Sequence, residues 1–559
     1  METPGCPDPR DILLTVSGPL NYKVTSLLRD PKSDGLIAAS ASAIRLMRGT
    51  IQKEVSILAL LAAIASLYLV AFVVPRTPVY QGDCSPIFLL EAMRMAEGQV
   101  IYRDFFEPVL PGTQYLFLGM IKLFGVQSWI PSAMFVLLGA LLAWAGAAVS
   151  RHVMPRGPSL LPSVLFLAFT YVTEPDPTHH WYSTLAVMLA LTLLIERRTP
   201  PRLALAGALF GLATLFTQTV GPAAALGSAV FLLWECRTKN QASREFVKRL
   251  LILLVPLVAV ATIGVAYLVA RAGLSGFTYC TIVFPSKFFR LWYWNTPQVY
   301  LAESEMPLFS SLLLELPAVC IWFFVHFLVP FIYLIFLVRM FRQAKTHPLE
   351  PWDKLTLLTT VGLFEFLAVA YSPSWLRLCS VAFPAIIVFV WLVKSSRRSL
   401  LTVTNLLWVI SLTVLAAQAV NVQLAERRWL SSPAGPIAIL DADRYEKYKW
   451  VQERTRPGEY LLQASDVDLY YPFKLRNPTE VPFLTASEYT RPEQVQQVIT
   501  SLERRRVRFV LWSVWLDVPN HLPFNKSTLE PLRGYLHSRY HLKRGFGGPG
   551  YEEVWERNP

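Results

Sequence analysis

The acidic and histidine side chains with the clearest chemical potential lie in two segments that adjoin long apolar runs. Asp83 comes nine residues after the first apolar run, and Asp104 and Glu107 follow it in the same polar segment. A carboxylate at the edge of a membrane loses part of its hydration, which raises its affinity for a proton and suits it to act as a general base. The first segment therefore offers candidate bases just outside the apolar runs.

The second segment is EPDPTHHWY at residues 174–182. It holds two acids and two histidines, although a turn between two apolar runs needs no pair of histidines. The two segments together give the candidate catalytic residues, which are Asp83, Asp104, Glu174, Asp176, His179 and His180.

Each of these candidates also has a simpler interpretation. Asp83 is equally consistent with a solvated loop acid, Arg103 can neutralise the adjacent Asp104, and prolines make 174–182 resemble a rigid polar turn. Carboxylates beside histidines also permit a divalent metal ion. Two adjacent imidazoles do not easily bind one ion, and the six cysteines form no CxxC pair. The pattern therefore requires no metal or other cofactor and leaves a divalent metal open.

Three cations form a second candidate group. Lys287 and Arg290 stand three residues apart in the aromatic segment FPSKFFRLWYWNTPQVY, so in a helix they would share a face, and Arg377 opens a later apolar run. Cations of this kind can bind the phosphate of a donor substrate, with the aromatic rings stacked on a sugar. The alternative is an aromatic belt whose cations extend towards the lipid headgroups.

The composition indicates what must position these residues. Hydrophobic residues make up 53% of the 559 residues and charged residues only 16%, whereas soluble domains carry about 25% charge. This excludes an ordinary cytosolic enzyme and predicts a polytopic membrane protein. The net charge of +13 is distributed in short runs between apolar stretches, which argues against a nucleic-acid partner.

Apolar runs long enough to cross the roughly 30 Å hydrocarbon core predict eleven transmembrane helices. The predicted spans are 55–74, 129–150, 158–173, 181–195, 203–218, 221–234, 250–270, 317–338, 355–371, 375–393 and 399–420. Lysine and arginine concentrate in alternate short loops, as in cytoplasmic loops of membrane proteins. If 113–125, which contains Lys122, were counted as a span, every basic loop after it would lie outside. The segment is therefore predicted to be a helix on the outer surface rather than a span. This parity also puts the amino terminus in the cytoplasm and the carboxyl terminus outside.

Three regions follow from these spans. Residues 1–54 are predicted to be a cytoplasmic extension, 55–420 the transmembrane domain with a large first outer loop at 75–128, and 421–559 a small extracytoplasmic α/β domain. Within the outer loop, 86–96 has the pattern of an amphipathic helix at the membrane surface that ends at Gly98. The elements predicted in 421–559 are helices at 442–455, 491–506 and 529–540 and strands at 460–465, 508–513, 541–546 and 551–556.

Several motifs in this order resemble those of the GT-C glycosyltransferases, a polytopic superfamily that includes protein O-mannosyltransferases, aminoarabinose transferases and oligosaccharyltransferase catalytic subunits. The motifs are Gly82 and Asp83 after the first span, the run AMRMAEGQVIYRDFFEPVLPG, and the acidic and histidine segment before the fourth span. The resemblance covers residues 55 to about 300 and, more loosely, the later spans. Many members carry a second acid where this sequence has Cys84, which argues against a metal-bridging pair of carboxylates.

The resemblance implies a reaction as well as a fold. It implies an α-helical GT-C-like membrane protein that moves a sugar, with inversion, from a polyprenyl phosphate to a lipid, glycan or protein acceptor at the outer face of the plasma (inner) membrane. Asp83 would accept the proton of the acceptor hydroxyl, and Lys287, Arg290 or Arg377 would stabilise the departing lipid phosphate. Two alternatives remain: a transporter or flippase of lipid-linked glycans, which would predict internal repeats that are not visible here, and a lipid-linked glycan polymerase or ligase.

Overall fold

Helices occupy most of the chain up to Leu424, and a small sheet follows. The computed structural model describes residues 54–80, 85–301, 319, 322–395, 400–517, 527–547 and 552–559. The predicted catalytic residue Asp83 and nearly all of the predicted extension at 1–54 therefore lie outside the described residues.

Within the described residues, each of the eleven predicted spans overlaps a helix. The helices are Glu54–Ala71, Trp129–Ser150, Pro158–Tyr171, His179–Glu196, Pro200–Phe216, Val220–Thr238, Ser243–Ala272, Val329–Gln343, Trp352–Val369, Trp375–Ser380 with Phe383–Lys394, and Leu400–Leu424. Among the described residues, four helices are long and apolar enough to cross a membrane by length and composition: Glu54–Ala71, Trp129–Ser150, Ser243–Ala272 and Thr402–Leu424. The count of eleven crossings stays a prediction.

The run at 375–393, predicted as one span, contains two helices. The short helix Trp375–Ser380 ends before Val381, and the next helix, Phe383–Lys394, has Pro384 in its first turn. Proline has no backbone N–H and its ring clashes with a preceding helical turn, so it is tolerated at the start of a helix but not within one. The break separates Arg377 from the longer apolar helix that follows it.

Glycines let neighbouring helices of the apolar region pack backbone to backbone. A Cβ atom on Gly207 would lie 1.9 Å from the carbonyl oxygen of Leu253, and one on Gly211 would lie 2.7 Å from that of Leu257. The helices Pro200–Phe216 and Ser243–Ala272 therefore lie closer together than side chains at these positions would allow.

The first outer loop contains the predicted helix, but the helix does not lie on a surface. It spans Ser85–Ala96, and Gly98 has the left-handed φ of +94° as the chain leaves it. Its two central charged residues, Glu91 and Arg94, are buried rather than exposed. The cause is coverage by the helix Gly112–Phe124, which confirms the helical part of the prediction at 113–125, and by the ring of Tyr471.

The carboxyl-terminal residues form a four-stranded sheet flanked by helices, with the predicted elements in the predicted order. The strands are Leu461–Gln463, Phe509–Ser513, Glu552–Arg557 and Tyr540–Phe546 in spatial order, and the helices are Ala442–Arg454, Pro492–Arg505 and Glu530–Arg539. The first two strands are parallel and the other pairs antiparallel. An additional hairpin, Arg428–Ser432 with Gly435–Ile439, was not predicted.

The carboxyl-terminal region holds both ends of the first outer loop. The N–H of Tyr80 donates to the carbonyl of Ala438 at 3.0 Å, and its hydroxyl donates to the carbonyl of Asp468. At the other end of the loop, the Tyr471 hydroxyl donates to the carbonyl of Gln127 at 2.9 Å. Tyr80 is therefore anchored by residues more than 350 positions away in the chain.

Candidate active site

A large cavity lies where the first outer loop, the polar turns between helices and the carboxyl-terminal region meet. Its volume is about 890 Å³, which is within the range of small-molecule sites. Polar residues at the cavity include Glu107, Glu174, Thr178, His179, His180, Thr217, Gln218, Asn295, Ser374 and Arg377. Aromatic residues at it include Phe88, Phe289, Trp292, Trp294, Tyr371, Trp375, Phe483 and Tyr489. The mixture suits a ligand that has both a polar and an apolar part.

The cavity brings together four of the residues predicted from the sequence. They are Glu174, His179, His180 and Arg377. Asp104, Asp176, Lys287 and Arg290 are not among its lining residues, and Asp83 lies outside the described part of the chain. The structure thus joins the segment at 174–182 to a cation almost 200 residues later.

The two histidines begin the helix His179–Glu196 and share one wall of the cavity. Their ring centroids are 4.0 Å apart, and the ring of Phe88 meets that of His179 edge-on at 5.3 Å. Neither Nδ1 atom has a hydrogen-bond partner among the described residues. Both nitrogens are themselves buried. No group of three or more histidine, cysteine or acidic side chains in the described ranges is arranged to hold a metal ion.

Arg377 also lines the cavity, and hydrogen bonds to neighbouring residues hold it. Its guanidinium donates to the carbonyls of Ser372 and Trp294 at 3.1 and 3.3 Å and to Oδ1 of Asn295 at 2.8 Å. Asn295 is itself buried and held by a bond from its Nδ2 to the carbonyl of Phe289. These bonds orient the guanidinium at the cavity, and a guanidinium is a group that binds anions well.

Lys287 and Arg290 are exposed and do not share a helix face. The helix Phe284–Lys287 ends at Phe288, and Arg290 lies in the separate 3₁₀ turn Phe289–Leu291. The condition for a shared helix face is therefore not met, because the helix ends before Arg290. They lie on the chain segment that supplies Phe289 and Trp292 to the cavity.

Asp104 and Asp176 have local structural partners. The Asp104 carboxylate accepts from the N–H of Val100 at 2.7 Å and pairs with Arg103 at 2.8 Å, and the bond from Arg103 holds the pKa of Asp104 below its usual range. Asp176 is buried, and its carbonyl accepts the N–H of Thr178 at 2.9 Å. The geometry favours the simpler interpretation of Asp104, in which it stabilises its own loop.

Glu107, which lies in the first segment of candidate bases, is a carboxylate at the cavity. It is buried, and its Oε1 accepts the N–H of Val109 at 2.9 Å. The buried carboxyl of Glu91 hydrogen-bonds to it from behind. Burial raises the pKa of both groups. Its position beside Pro108 in the GT-C-like motif was the sequence feature that could have identified Glu107. Its pairing with Glu91 depends on the fold and could not be predicted.

The carboxyl-terminal region completes the cavity wall with two rings. Tyr489 packs 5.5 Å from Trp292 and meets Phe284 edge-on at 4.9 Å, and Phe483 lies 5.7 Å from Trp292. The N–H of Phe106 donates to the carbonyl of Glu480 at 2.9 Å, which joins the outer loop to the same segment. Neither ring lies in a recognisable motif, so the part that these two rings play in the cavity wall could not be predicted from the sequence.

The fold is similar to that of solved structures of ArnT, in agreement with the resemblance of the sequence motifs to the GT-C superfamily. The structure is similar to ArnT from Cupriavidus metallidurans bound to undecaprenyl phosphate, with a TM-score of 0.52 and 13% identity over 89% of this chain and 96% of that one. It is similar to the apo state of ArnT at a TM-score of 0.52 and 12% identity, over 89% of this chain and 97% of that one.

A second similar structure is the archaeal oligosaccharyltransferase AglB from Archaeoglobus fulgidus in complex with an inhibitory peptide and a dolichol-phosphate. Its TM-score is 0.48 at 12% identity over 90% of this chain and 74% of that one, a likeness from which we draw no argument. No family model matches the sequence, and no curated protein matches it. At these identities the likeness to ArnT establishes the fold and assigns no role to a residue.

Proposed function

We propose that this protein is an integral-membrane glycosyltransferase that moves a sugar from a polyprenyl-phosphate donor to an acceptor at the outer face of the membrane. The observation that carries the proposal is the cavity of about 890 Å³, which is lined by an arginine, two histidines and two acids in a fold similar to that of ArnT. The undecaprenyl phosphate bound to the similar ArnT structure supports a donor of this class.

The reaction we infer is a direct displacement at the anomeric carbon. The acceptor hydroxyl oxygen forms a bond to that carbon as the bond to the donor phosphate oxygen breaks, so the configuration inverts. The acceptor proton passes to a carboxylate, and the lipid phosphate leaves as an anion. The sugar transferred is a hexose or pentose, and the acceptor is a lipid, a glycan or a protein.

Arg377 is the proposed partner of the leaving phosphate. Its bonds to Ser372, Trp294 and Asn295 fix the fork of donors before substrate arrives, so little reorganisation is needed as negative charge develops on the phosphate. Lys287 and Arg290 are proposed to attract the donor headgroup from the exposed side of the same aromatic segment. Electrostatic attraction of this kind acts on association more than on the bound complex.

Asp83 is the proposed base, because of its position after the first span and its place in the GT-C motif. Asp83 itself lies outside the described residues, so this assignment rests on its place in the sequence. Glu174, His179 and His180 are proposed to bind hydroxyl groups of sugar or acceptor, and Asp176 to hold their turn.

The proposal is tested with purified protein in liposomes and a panel of radiolabelled polyprenyl-phosphate sugars. We expect labelled product from one donor class, strongly reduced in Arg377→Gln and unchanged in Arg504→Gln, an exposed cation far along the carboxyl-terminal helix. Absence of transfer from every donor, with lipid and peptide acceptors supplied and the protein folded, would refute the proposed reaction.

A further inference from the structure

We propose that Glu91 is a positioning residue that shares one proton with Glu107 and so holds Glu107 as an oriented carboxylate in the cavity wall. This inference rests on the proposed function, because it assigns Glu107 to the substrate cavity. It also concerns a residue on the hidden face of the loop helix, one that lines no part of the cavity itself.

The geometry of Glu91 leaves one oxygen in need of a partner. The side chain is completely buried, and its Oε2 accepts from Nε2 of Gln114 at 2.7 Å. Its Oε1 finds no N–H or O–H donor among the described residues. A buried polar atom without a partner is costly. A proton on Oε1 that is donated to Glu107 removes this deficit, and the two carboxyl groups are in hydrogen-bonding contact.

Glu107 is the member of the pair that meets the cavity. It is 4% exposed, and Oε1 is engaged by the N–H of Val109 at 2.9 Å. With one oxygen held by the backbone and the group approached from behind by Glu91, the carboxylate has a fixed plane. A fixed carboxylate in a largely aromatic wall is a strong acceptor for a hydroxyl of the sugar or of the acceptor.

Two buried carboxylates in contact cannot both be ionised at moderate pH. Burial raises the pKa of both groups, and repulsion from Glu107 raises that of Glu91 further, well above its usual range. The hydrogen bond from Glu91 acts in the opposite direction on Glu107, whose pKa it lowers. The proton therefore resides on Glu91, and the pair carries one negative charge on the side of the cavity.

Other charged or titratable groups around the pair do not change this assignment. Arg94, on the same helix, lowers the pKa of Glu91, but its guanidinium bonds are to Gln99 and to the carbonyls of Thr479 and Asp104. Three further groups face the pair and stay neutral near neutral pH, because burial raises the pKa of each. They are Tyr102, Cys280 and Tyr489.

The shared proton predicts a characteristic pH dependence. On the alkaline side, loss of the proton from Glu91 would put two charges in contact and displace Glu107, so transfer falls. Glu91→Gln retains a donor to Glu107 but cannot titrate, so this alkaline loss disappears while the rate at neutral pH stays within about threefold. Glu91→Leu removes the donor, so Glu107 itself takes up a proton at higher pH. The loss of transfer at acidic pH then begins at a higher pH than in the wild type, and the rate of transfer at neutral pH falls about tenfold or more.

The test combines pH profiles of glycosyl transfer with infrared difference spectra of the protonated carboxyl band. Glu97→Gln is the matched control, because Glu97 follows the same helix and makes only an exposed pair with Arg476. We expect the wild type and Glu97→Gln to show the band at neutral pH and Glu91→Gln to lose one carboxyl's share of it. Thermal unfolding of each variant confirms that it is folded.

Two results would overturn the inference. One is an unchanged protonated-carboxyl band in Glu91→Gln, and the other is an alkaline loss of transfer in Glu91→Gln equal to that of the wild type. A folded wild-type protein that shows the Glu91-dependent band but transfers no sugar would instead refute the proposed function while supporting the shared proton.

Discussion

Replacing Arg377 by Gln should weaken the binding of a polyprenyl phosphate while leaving the binding of the matching polyprenol, which has no phosphate, almost unchanged. The guanidinium stands at the cavity with its donors held by Ser372, Trp294 and Asn295. Glutamine keeps a polar side chain of moderate length but removes the positive charge and the planar fork of donors.

The size of the effect follows from the kind of bond that is lost. A hydrogen bond to a charged group contributes about 1.5–3 kcal/mol. With about 1.4 kcal/mol for each factor of ten, the dissociation constant for the lipid phosphate should rise about 10- to 100-fold. Arg377→Lys keeps the charge without the fork, so a smaller loss is expected from it.

Affinity should be measured in detergent, where anchoring at lipid headgroups no longer contributes. Arg377 also supports the loop that carries Trp294 and Asn295, so a loss of affinity by itself does not identify phosphate binding. The comparison of the two lipids separates these roles. Equal losses for polyprenol and polyprenyl phosphate would mean that Arg377 acts on the shape of the loop, and unchanged affinity for both would remove it from the donor site.

Three further predictions concern the base, the topology and the helix packing. Asp83→Asn should lower transfer about 100-fold or more with folding intact, measured as kcat in liposomes, and near-normal turnover would move the base to Glu174 or Asp176. Reporter fusions at residues 245 and 430 should give opposite signals, since only then do all the basic loops face the cytoplasm; matching signals would end the eleven-span prediction. Gly207→Ala should lower the unfolding temperature because its Cβ would clash with the Leu253 carbonyl, whereas Gly119→Ala, where the space is open, should not, and equal shifts would contradict the packing.

The carboxyl-terminal elements were predictable because their patterns are local. The helix Pro492–Arg505 has an apolar face at helical spacing and Pro492 in its first turn, and the strand Phe509–Ser513 is a short run of apolar residues. The hairpin Arg428–Ser432 with Gly435–Ile439 was missed because its first strand has only one buried apolar side chain, whereas all five residues of Phe509–Ser513 are buried. A strand without a run of apolar residues is hard to distinguish from a loop.

The candidate site was predictable only in part, because its residues meet through distant contacts. The histidine segment and Arg377 were found from residue type and position, and the cavity joins them. Glu91 looked like a polar interruption of a surface helix, since nothing near it in the sequence shows that Gln114 covers it. Likewise, the rings of Phe483 and Tyr489 come from a region whose contact with the outer loop has no local signal.

The measurement that tests the central claim most directly follows a labelled polyprenyl-phosphate sugar and its lipid together in one proteoliposome. The proposal predicts that each glycosylated acceptor appears with one molecule of free polyprenyl phosphate, and that Arg377→Gln slows both to the same extent. Intact lipid-linked sugar that moves to the opposite leaflet, with no free polyprenyl phosphate and no glycosylated acceptor, would contradict glycosyl transfer and identify a transporter instead.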